Sequence, residues 1–435
     1  MFKKASQLVR RALSKRALAS PCIIPRPKHT ISREKISKAA LKVLYRLKDE
    51  GHCAYLVGGG VRDILLGRDP KDFDVVTDAH PETLRNIFRN SRIIGRRFRL
   101  VHVYFDSEVV EVSTFRANVS DQAQLEIDDD TGMIFRDNTY GTIEEDAWRR
   151  DFTVNALYYN IADFSVVDYM HGMQDLKKQL IRIIGDPAQR YHEDPVRLLR
   201  ALRLAAKLNF HLEVKTEAAL KQLSHLLQHV PPARLFDEFL KLFFEGHSQK
   251  TYAMLNQYHY FLALFPQTVF ALSKHKSALH EKIIRYALKA TDERLHDHQS
   301  VNPGFLLSVF LWPALQQKLF SQKKNSSGKE KFYFQLHQFI QEILHKQLTT
   351  LMIPKRFQFV IQAIWILQFQ LERRRVSRIF STFQHRYFRA AFDFMALRIQ
   401  AGDNSQRDCF MWWKAFQEAM PPMQEKMIAE LKRKS

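Results

Sequence analysis

The stretch YLVGGGVRDILLGRDPKDFDVVT, Tyr55 to Thr77, sets an apolar run, three consecutive glycines and two alternating aspartates within one short segment. A glycine turn that follows a strand lets backbone N–H groups come close to an anion. Asp72 and Asp74 lie two residues apart on a strand-like run and so face one side, while Phe73 and Val75 face the other, buried side. Taken alone the pattern is weak, because a solvated strand start also produces it. A third carboxylate strengthens it. Glu111, in VVEVSTFR, sits mid-strand among apolar neighbours, where an unpaired charge is costly. If its strand lies beside that of Asp74, three carboxylates meet. Such a cluster suits two Mg²⁺ ions, about 3.5–4 Å apart in sites of this kind, one activating an attacking hydroxyl and both stabilising a displaced phosphate.

Outward from this stretch, SREKISKAALKVLYRLKDEG has helical spacing at Ile36, Ala40, Val43, Leu44 and Leu47 and stops at Gly51. Strand-like runs fall at 54–57, 73–77, 101–105 and 109–115, the last two flanking a hairpin turn at Asp106-Ser107. HPETLRNIFRN reads as a helix with Pro81 at its start. The expectation is an α+β head with a small mixed sheet. ANVSDQAQLEIDDDTG reads as a loop, and Asp128, Asp129 and Asp130 lack the spacing of an EF-hand. From about Leu180 strand signals fade, and amphipathic stretches such as ARLFDEFLKLFFEG predict an all-helical remainder. Its tryptophans, Trp312, Trp365, Trp412 and Trp413, are read as core, and SQKKNSSGKEK, residues 321–331, as a polar break.

Across 435 residues, 67 Lys and Arg against 46 Asp and Glu give a formal net charge of +21. That excess points to a polyanionic partner, nucleic acid before anionic membrane. Cys22, Cys53 and Cys409 are far apart, which offers neither a zinc site nor a disulfide framework and suits a reducing compartment. No run approaches the ~18 apolar residues of a membrane span. Residues 1–30 are rich in Lys and Arg (Lys3, Lys4, Arg10, Arg11, Lys15, Arg16, Arg26, Lys28) and hold no acid. Two readings fit, a flexible arm on nucleic acid and a mitochondrial targeting segment; the arm is preferred.

Two further clusters carry chemistry. RRDFTVNA puts Asp151 and Asn155 four apart, hence on one helix face, with a helix start as the plain alternative. EDPVRLLRALR sets Asp194 ahead of Arg197, Arg200 and Arg203 on an otherwise apolar helix. Asp194 before Pro195 also suits a helix cap, while the row of guanidiniums suggests triphosphate binding.

LVGGGVRDILLGRDPKDFDVV, EDAWRRDFTVNALYYN and GDPAQRYHEDPVRLLRALRLAAKL together resemble the successive motifs of class II nucleotidyltransferases, the superfamily of bacterial poly(A) polymerases and CCA-adding tRNA nucleotidyltransferases. The likeness is strong over residues 30–270 and continues through FRAAFDFMALR. It implies a catalytic head over 31–179, a helical neck over 180–270 that binds nucleotide and RNA, and an RNA-binding body over 271–435. It implies that Gly58, Gly59 and Arg62 bind nucleotide phosphate, that Asp72 and Asp74 hold Mg²⁺, and that Glu111 supports them. Arg150 would reach the sugar, Asp151 would support the site, and Asn155, Arg200 and Arg203 would complete the nucleotide pocket.

The resemblance gives Asp194 and Arg197 the reading of the base, and their chemistry agrees. A carboxylate only accepts and a guanidinium only donates. Adenine and cytosine both offer an amino donor beside a ring-nitrogen acceptor, whereas guanine and uracil present the inverse. ATP and CTP fit; GTP and UTP do not. IIGRRFRLVHV, Ile93 to Val103, is similar to the poly(A) branch, with Arg96, Arg97 and Arg99 beside the catalytic strands. The reading is therefore addition of AMP from ATP to RNA 3′ ends in a bacterial-type cytoplasm, with a monomer as the simplest state and a CCA-adding enzyme as the alternative. One departure is that the chain stops at EKMIAELKRKS, without the branch's long arginine-rich tail. HDH at 296–298 hints at a metal phosphohydrolase, but further ligands at matching spacing are lacking and a surface cluster is the better reading.

Overall fold

The apolar run that opens the glycine stretch becomes β2 (Ala54–Val57), and the two aspartates lead into β3 (Asp74–Thr77). The protein was analysed as a computed structural model that describes residues 20–95, 99–106, 108–117, 126–127, 134–136, 139–274, 277–322 and 329–434. The basic residues Lys3 to Arg16, the pair Arg96 and Arg97, Ser107 and the aspartates Asp128 to Asp130 lie outside them. Residue contacts divide the chain into two compact units that meet in sequence at Leu226 and Leu227.

The first unit is built on an eight-stranded sheet. Besides β2 and β3 it contains β1 (Cys22–Ile24), β4 (Ser91–Ile94), β5 (Leu100–Tyr104), β6 (Val109–Thr114), β9 (Leu157–Asn160) and β10 (Val166–Asp168), in the order β1-β10-β9-β2-β3-β6-β5-β4. A separate hairpin pairs β7 (Glu126–Ile127) with β8 (Ile134–Arg136). Only β3 and β6 run parallel in the main sheet, since the helix Pro81–Ile87 and two further strands carry the chain back between them. Central β3 is covered on both faces. The helix Lys38–Asp49 packs on one, while Val76 joins Val57, Phe115, Ala156 and Tyr158 in a core cluster. This explains why β3 reads as a continuous apolar run after Asp74.

The sheet is larger than the sequence pattern suggested. Strands β4, β9 and β10 were not anticipated, and β1 corrects the extent of the basic arm, because Cys22–Ile24 pairs with β10 and residues 26–28 form a short 3₁₀ turn. Strand structure also persists past 180, where Leu180–Ile181 pairs in parallel with His211–Leu212. Thr153–Asn155 is a 3₁₀ turn that follows the helix Ile143–Arg149, so Asp151 and Asn155 do not share an α-helical face.

The second unit is helical throughout its described residues, from Pro232–Phe243 to Pro421–Lys434. Trp365 and Trp413 are fully buried, and each indole N–H finds a backbone acceptor, Ser308 O at 2.9 Å and Leu371 O at 3.0 Å. Trp312 is buried as well, so three of the four rings are core, while Trp412 is half-buried against that core. His296, Asp297 and His298 are exposed at a helix end, a surface cluster as expected. No described helix is long and apolar enough to cross a membrane.

Candidate active site

Val57 at the end of β2 stands opposite Asp74 at the start of β3, so the glycine turn and the aspartates are forced together. Gly58 has a positive φ of 75° and caps the helix Gly59–Leu65. A Cβ on it would lie 3.3 Å from Asp74 Oδ2, and one on Gly60 would lie 3.3 Å from the Asp72 carbonyl oxygen. Glycine is required here both for the backbone conformation and for the close approach.

Asp74 is in register with Glu111 on the neighbouring parallel strand, as the sequence anticipated. The burial argument for Glu111 is corrected, however. It lies on the outward side of β6, its side chain is 52% exposed, and it pairs with His102 Nε2 at 3.3 Å across the antiparallel β5. Asp72 is exposed and Asp74 half-buried. Burial, then the Glu111 carboxylate, push the Asp74 carboxyl up to about 6; Asp72 adds to this, and Arg150 and Arg200 partly offset it. Among the described residues no hydrogen bond or ion pair reaches the Asp74 carboxylate, and no three acidic, His or Cys side chains form a ready metal cage. The site thus offers anionic oxygens crowded by like charge beside a glycine that leaves space. This fits a hard cation.

Opposite charge is gathered in the RRD element and the helices that follow. Arg150, 3.8 Å from where a Gly58 Cβ would stand, donates to Asp146 Oδ2 at 3.1 Å and to the Tyr158 hydroxyl at 2.9 Å. Tyr158 in turn donates to Asp146 at 2.7 Å, and Asp146 and Tyr158 are both buried. Burial disfavours the charge on Arg150, but Tyr158 and Asp146 outweigh it and hold the guanidinium above its ordinary value. Asp151 accepts from Arg200 Nε at 2.8 Å and from Asn155 Nδ2 at 3.1 Å. Burial works against its carboxylate, yet Arg200, Asn155 and the Phe152 N–H hold it well below the usual range. Asn155 Oδ1 accepts from Arg62, and Arg62 pairs with Asp63, whose other oxygen lies 3.5 Å from Lys207 Nζ. One chain of polar contacts therefore ties the glycine helix to the helix Val196–Leu208 through Asp151.

Arg197, Arg200 and Arg203 all lie on the half-buried face of that helix, between apolar residues that are buried. Asp194 precedes Pro195, and its Oδ1 accepts from the Val196 N–H at 3.3 Å, a capping contact. Arg197 turns to Glu193 at 3.2 Å and to the Arg190 carbonyl at 2.8 Å. Arg190 shares Glu193 at 2.7 Å and reaches the carbonyls of Arg149 and Arg150. Burial first, and then the neighbouring Arg116, Arg190 and Arg197, push Arg149 down to about 9. Burial and Arg197 push Arg190 down to about 10. These guanidiniums stay charged, so the lowered values register burial first and mutual repulsion second, and a polyphosphate would relieve the repulsion.

Arg116, Arg149, Arg190, Glu193, Asp146 and Tyr158 were not singled out from the sequence. Asp146 was legible as a partner four residues before Arg150. Tyr158 and Arg116 come from separate strands or loops, and no local spacing marks them.

Three family models match the chain: "Poly A polymerase head domain" over residues 54–182, "Probable RNA and SrmB- binding site of polymerase A" over 209–272, and "Polymerase A arginine-rich C-terminus" over 328–435. The chain is 45% identical to Poly(A) polymerase I of Salmonella typhimurium (strain LT2), across 99% of this chain and 95% of that one. It belongs to the bacterial poly(A) polymerase family. The third match runs to the end of the chain at residue 435. A CCA-adding enzyme of Lactobacillus helveticus is 40% identical, but over 49% of this chain and 51% of its own length. The fold is that of a solved CCA-adding enzyme in an apo form, at TM-score 0.60 and 19% identity, covering 92% of this chain and 91% of that one.

Proposed function

We propose that the protein is a template-independent poly(A) polymerase. The RNA 3′-hydroxyl oxygen attacks the α-phosphorus of ATP and gives up its proton to solvent, the bond to the β-phosphate's bridging oxygen breaks, and pyrophosphate leaves. The observation that carries this is the separation of charge in the first unit. Asp72, Asp74 and Glu111 crowd one side, while Arg116, Arg149, Arg190 and Arg197 crowd another. An anionic cluster calls for cations and a cationic cluster for a polyphosphate, the two components of a metal-assisted phosphoryl transfer.

Asp72 and Asp74 are the residues that would hold Mg²⁺, which when bound supplies Lewis-acid stabilisation of the transferring phosphate. The chain's own groups do the rest. Gly58 and Gly59 keep the backbone open to phosphate, Arg62 and Arg200 are fixed by Asn155 and Asp151, and Arg150 is aimed by Asp146 and Tyr158. Asp194 and Arg197 would read the base, with Arg203 completing the pocket. Head, neck and body then divide at about residues 179 and 270, with RNA held by the helical parts, and the enzyme acts in RNA turnover in a bacterial cytoplasm.

The test is incorporation on two substrates. With unstructured RNA and ATP the protein should build long homopolymer tails and use CTP poorly. Efficient CTP addition to a truncated tRNA, ending after the terminal A, would overturn the reading in favour of CCA addition.

A further inference from the structure

The second unit holds a cavity of about 690 Å³, lined in part by Tyr333, His337, Arg373, Arg374, Arg375 and Arg378. The four arginines come from one run, LERRRVSR, Leu371 to Arg378. The helix Lys355–Arg373 ends there. Arg374 takes the left-handed conformation, with φ +40°, while its N–H still bonds the Gln370 carbonyl. That conformation is uncommon outside glycine. It breaks the helical path, so consecutive arginines reach one cavity instead of circling an axis.

Glu372, the acid beside these arginines, is taken by Arg398 at 2.7 Å, which also binds Asp403 at 2.7 Å. Among the described residues no carboxylate pairs with Arg373, Arg374, Arg375 or Arg378. Two of the guanidiniums are instead seated on rings. Arg373 lies 4.3 Å from the centre of Phe332 and 5.0 Å from that of Tyr333, and Arg374 lies 5.9 Å from that of Trp412. Ring contacts of this kind fix the planar group while leaving its N–H edge free to donate. Arg374 also hydrogen-bonds the Cys409 side chain, whereas Arg375 and Arg378 stand exposed beside the two ring-held groups; such guanidiniums suit phosphate, and the volume suits a nucleotide.

We infer that this cavity takes one nucleotide of the RNA strand, its phosphate on Arg375 and Arg378 and its base in the cavity, as a binding site separate from the residues of the active site. The inference rests on the RNA substrate of the proposed function. The test uses the full chain and its Arg375→Ala/Arg378→Ala variant, two exposed positions whose loss leaves the packed core intact. Equal thermal unfolding of the two proteins checks the fold. Affinity for a fluorescein-labelled unstructured oligoribonucleotide is measured across a salt series. The variant should bind about tenfold more weakly or worse, and its log–log salt slope should be smaller by about 1.4, for two single-strand phosphate contacts at ~0.7 each. Unchanged affinity and slope in the variant overturn this inference alone. If free ATP displaces the oligonucleotide from the wild type but not from the variant, the cavity takes a free nucleotide and the inference also falls. Absence of RNA binding by the wild type would sink the polymerase reading with it.

Discussion

Replacing Asp74 by Asn should abolish AMP incorporation and at the same time make the metal-free protein more stable at neutral pH. The reason is electrostatic. An aspartate ordinarily titrates near 3.8, whereas burial and the Glu111 and Asp72 charges push Asp74 up to about 6 in the fold. A carboxyl with a raised folded value holds its proton more tightly when folded. Its contribution is therefore fully present below 3.8 and is lost as pH rises through about 6. Two units at about 1.4 kcal/mol each amount to roughly 3 kcal/mol working against the fold at pH 7. About 1 kcal/mol of this is already lost at pH 4.5, so the stability gap between variant and wild type should widen by about 2 kcal/mol between pH 4.5 and 7. Hydrogen exchange of peptides covering β2, β3 and β6 reads the opening of this unit by itself. Added Mg²⁺ at pH 7 should narrow the gap by stabilising the wild type alone. If the variant is no more stable than wild type at pH 7, or the gap does not move with pH, Asp74 is not held against like charge, and the metal assignment loses its physical motive.

Three further outcomes follow from the same geometry. Asp151→Asn should destabilise the first unit by about 2–3 kcal/mol, since it removes the carboxylate that Arg200 pairs with. Because Asp151 is held below its ordinary range, its contribution is present above the usual carboxylate value and lost as pH falls, so thermal unfolding of variant and wild type should converge in acid. Gly58→Ala, at φ 75° and ψ −138°, should cost about 1–3 kcal/mol and most of the incorporation rate. Gly67→Ala, also at positive φ (+73°) but with nothing within 4 Å of its Cβ, should retain activity. Tyr158→Phe removes both hydrogen bonds of its hydroxyl and should raise the KM for ATP about five- to tenfold with kcat little changed, whereas an unaltered KM would detach Arg150 from the nucleotide.

What the sequence determined by itself was local, or carried by ordered motifs. Alternation and turn chemistry placed β2, β3, β5 and β6 to within a residue or two and located the helices Lys38–Asp49 and Pro81–Ile87 with looser ends, because a half-buried strand or an amphipathic helix writes its period into the chain. Two-residue spacing put Asp72 and Asp74 on one side, and the motif series gave the family. Other features depended on which segments meet, and no local pattern encodes that. The exposure of Glu111 follows from its lying on the outward side of β6 opposite His102, although its apolar neighbours suggested burial. Short strands at Cys22–Ile24 and Val166–Asp168 exist only because they complete one sheet edge. Asp151 and Asn155 do meet, but across a 3₁₀ turn instead of a helix face, because the helix before them ends at Arg149. The charge separation that gives the site its chemistry is likewise tertiary. Arg116, Arg149, Arg190 and Arg197 come from different elements, and only folding sets them close enough to repel one another.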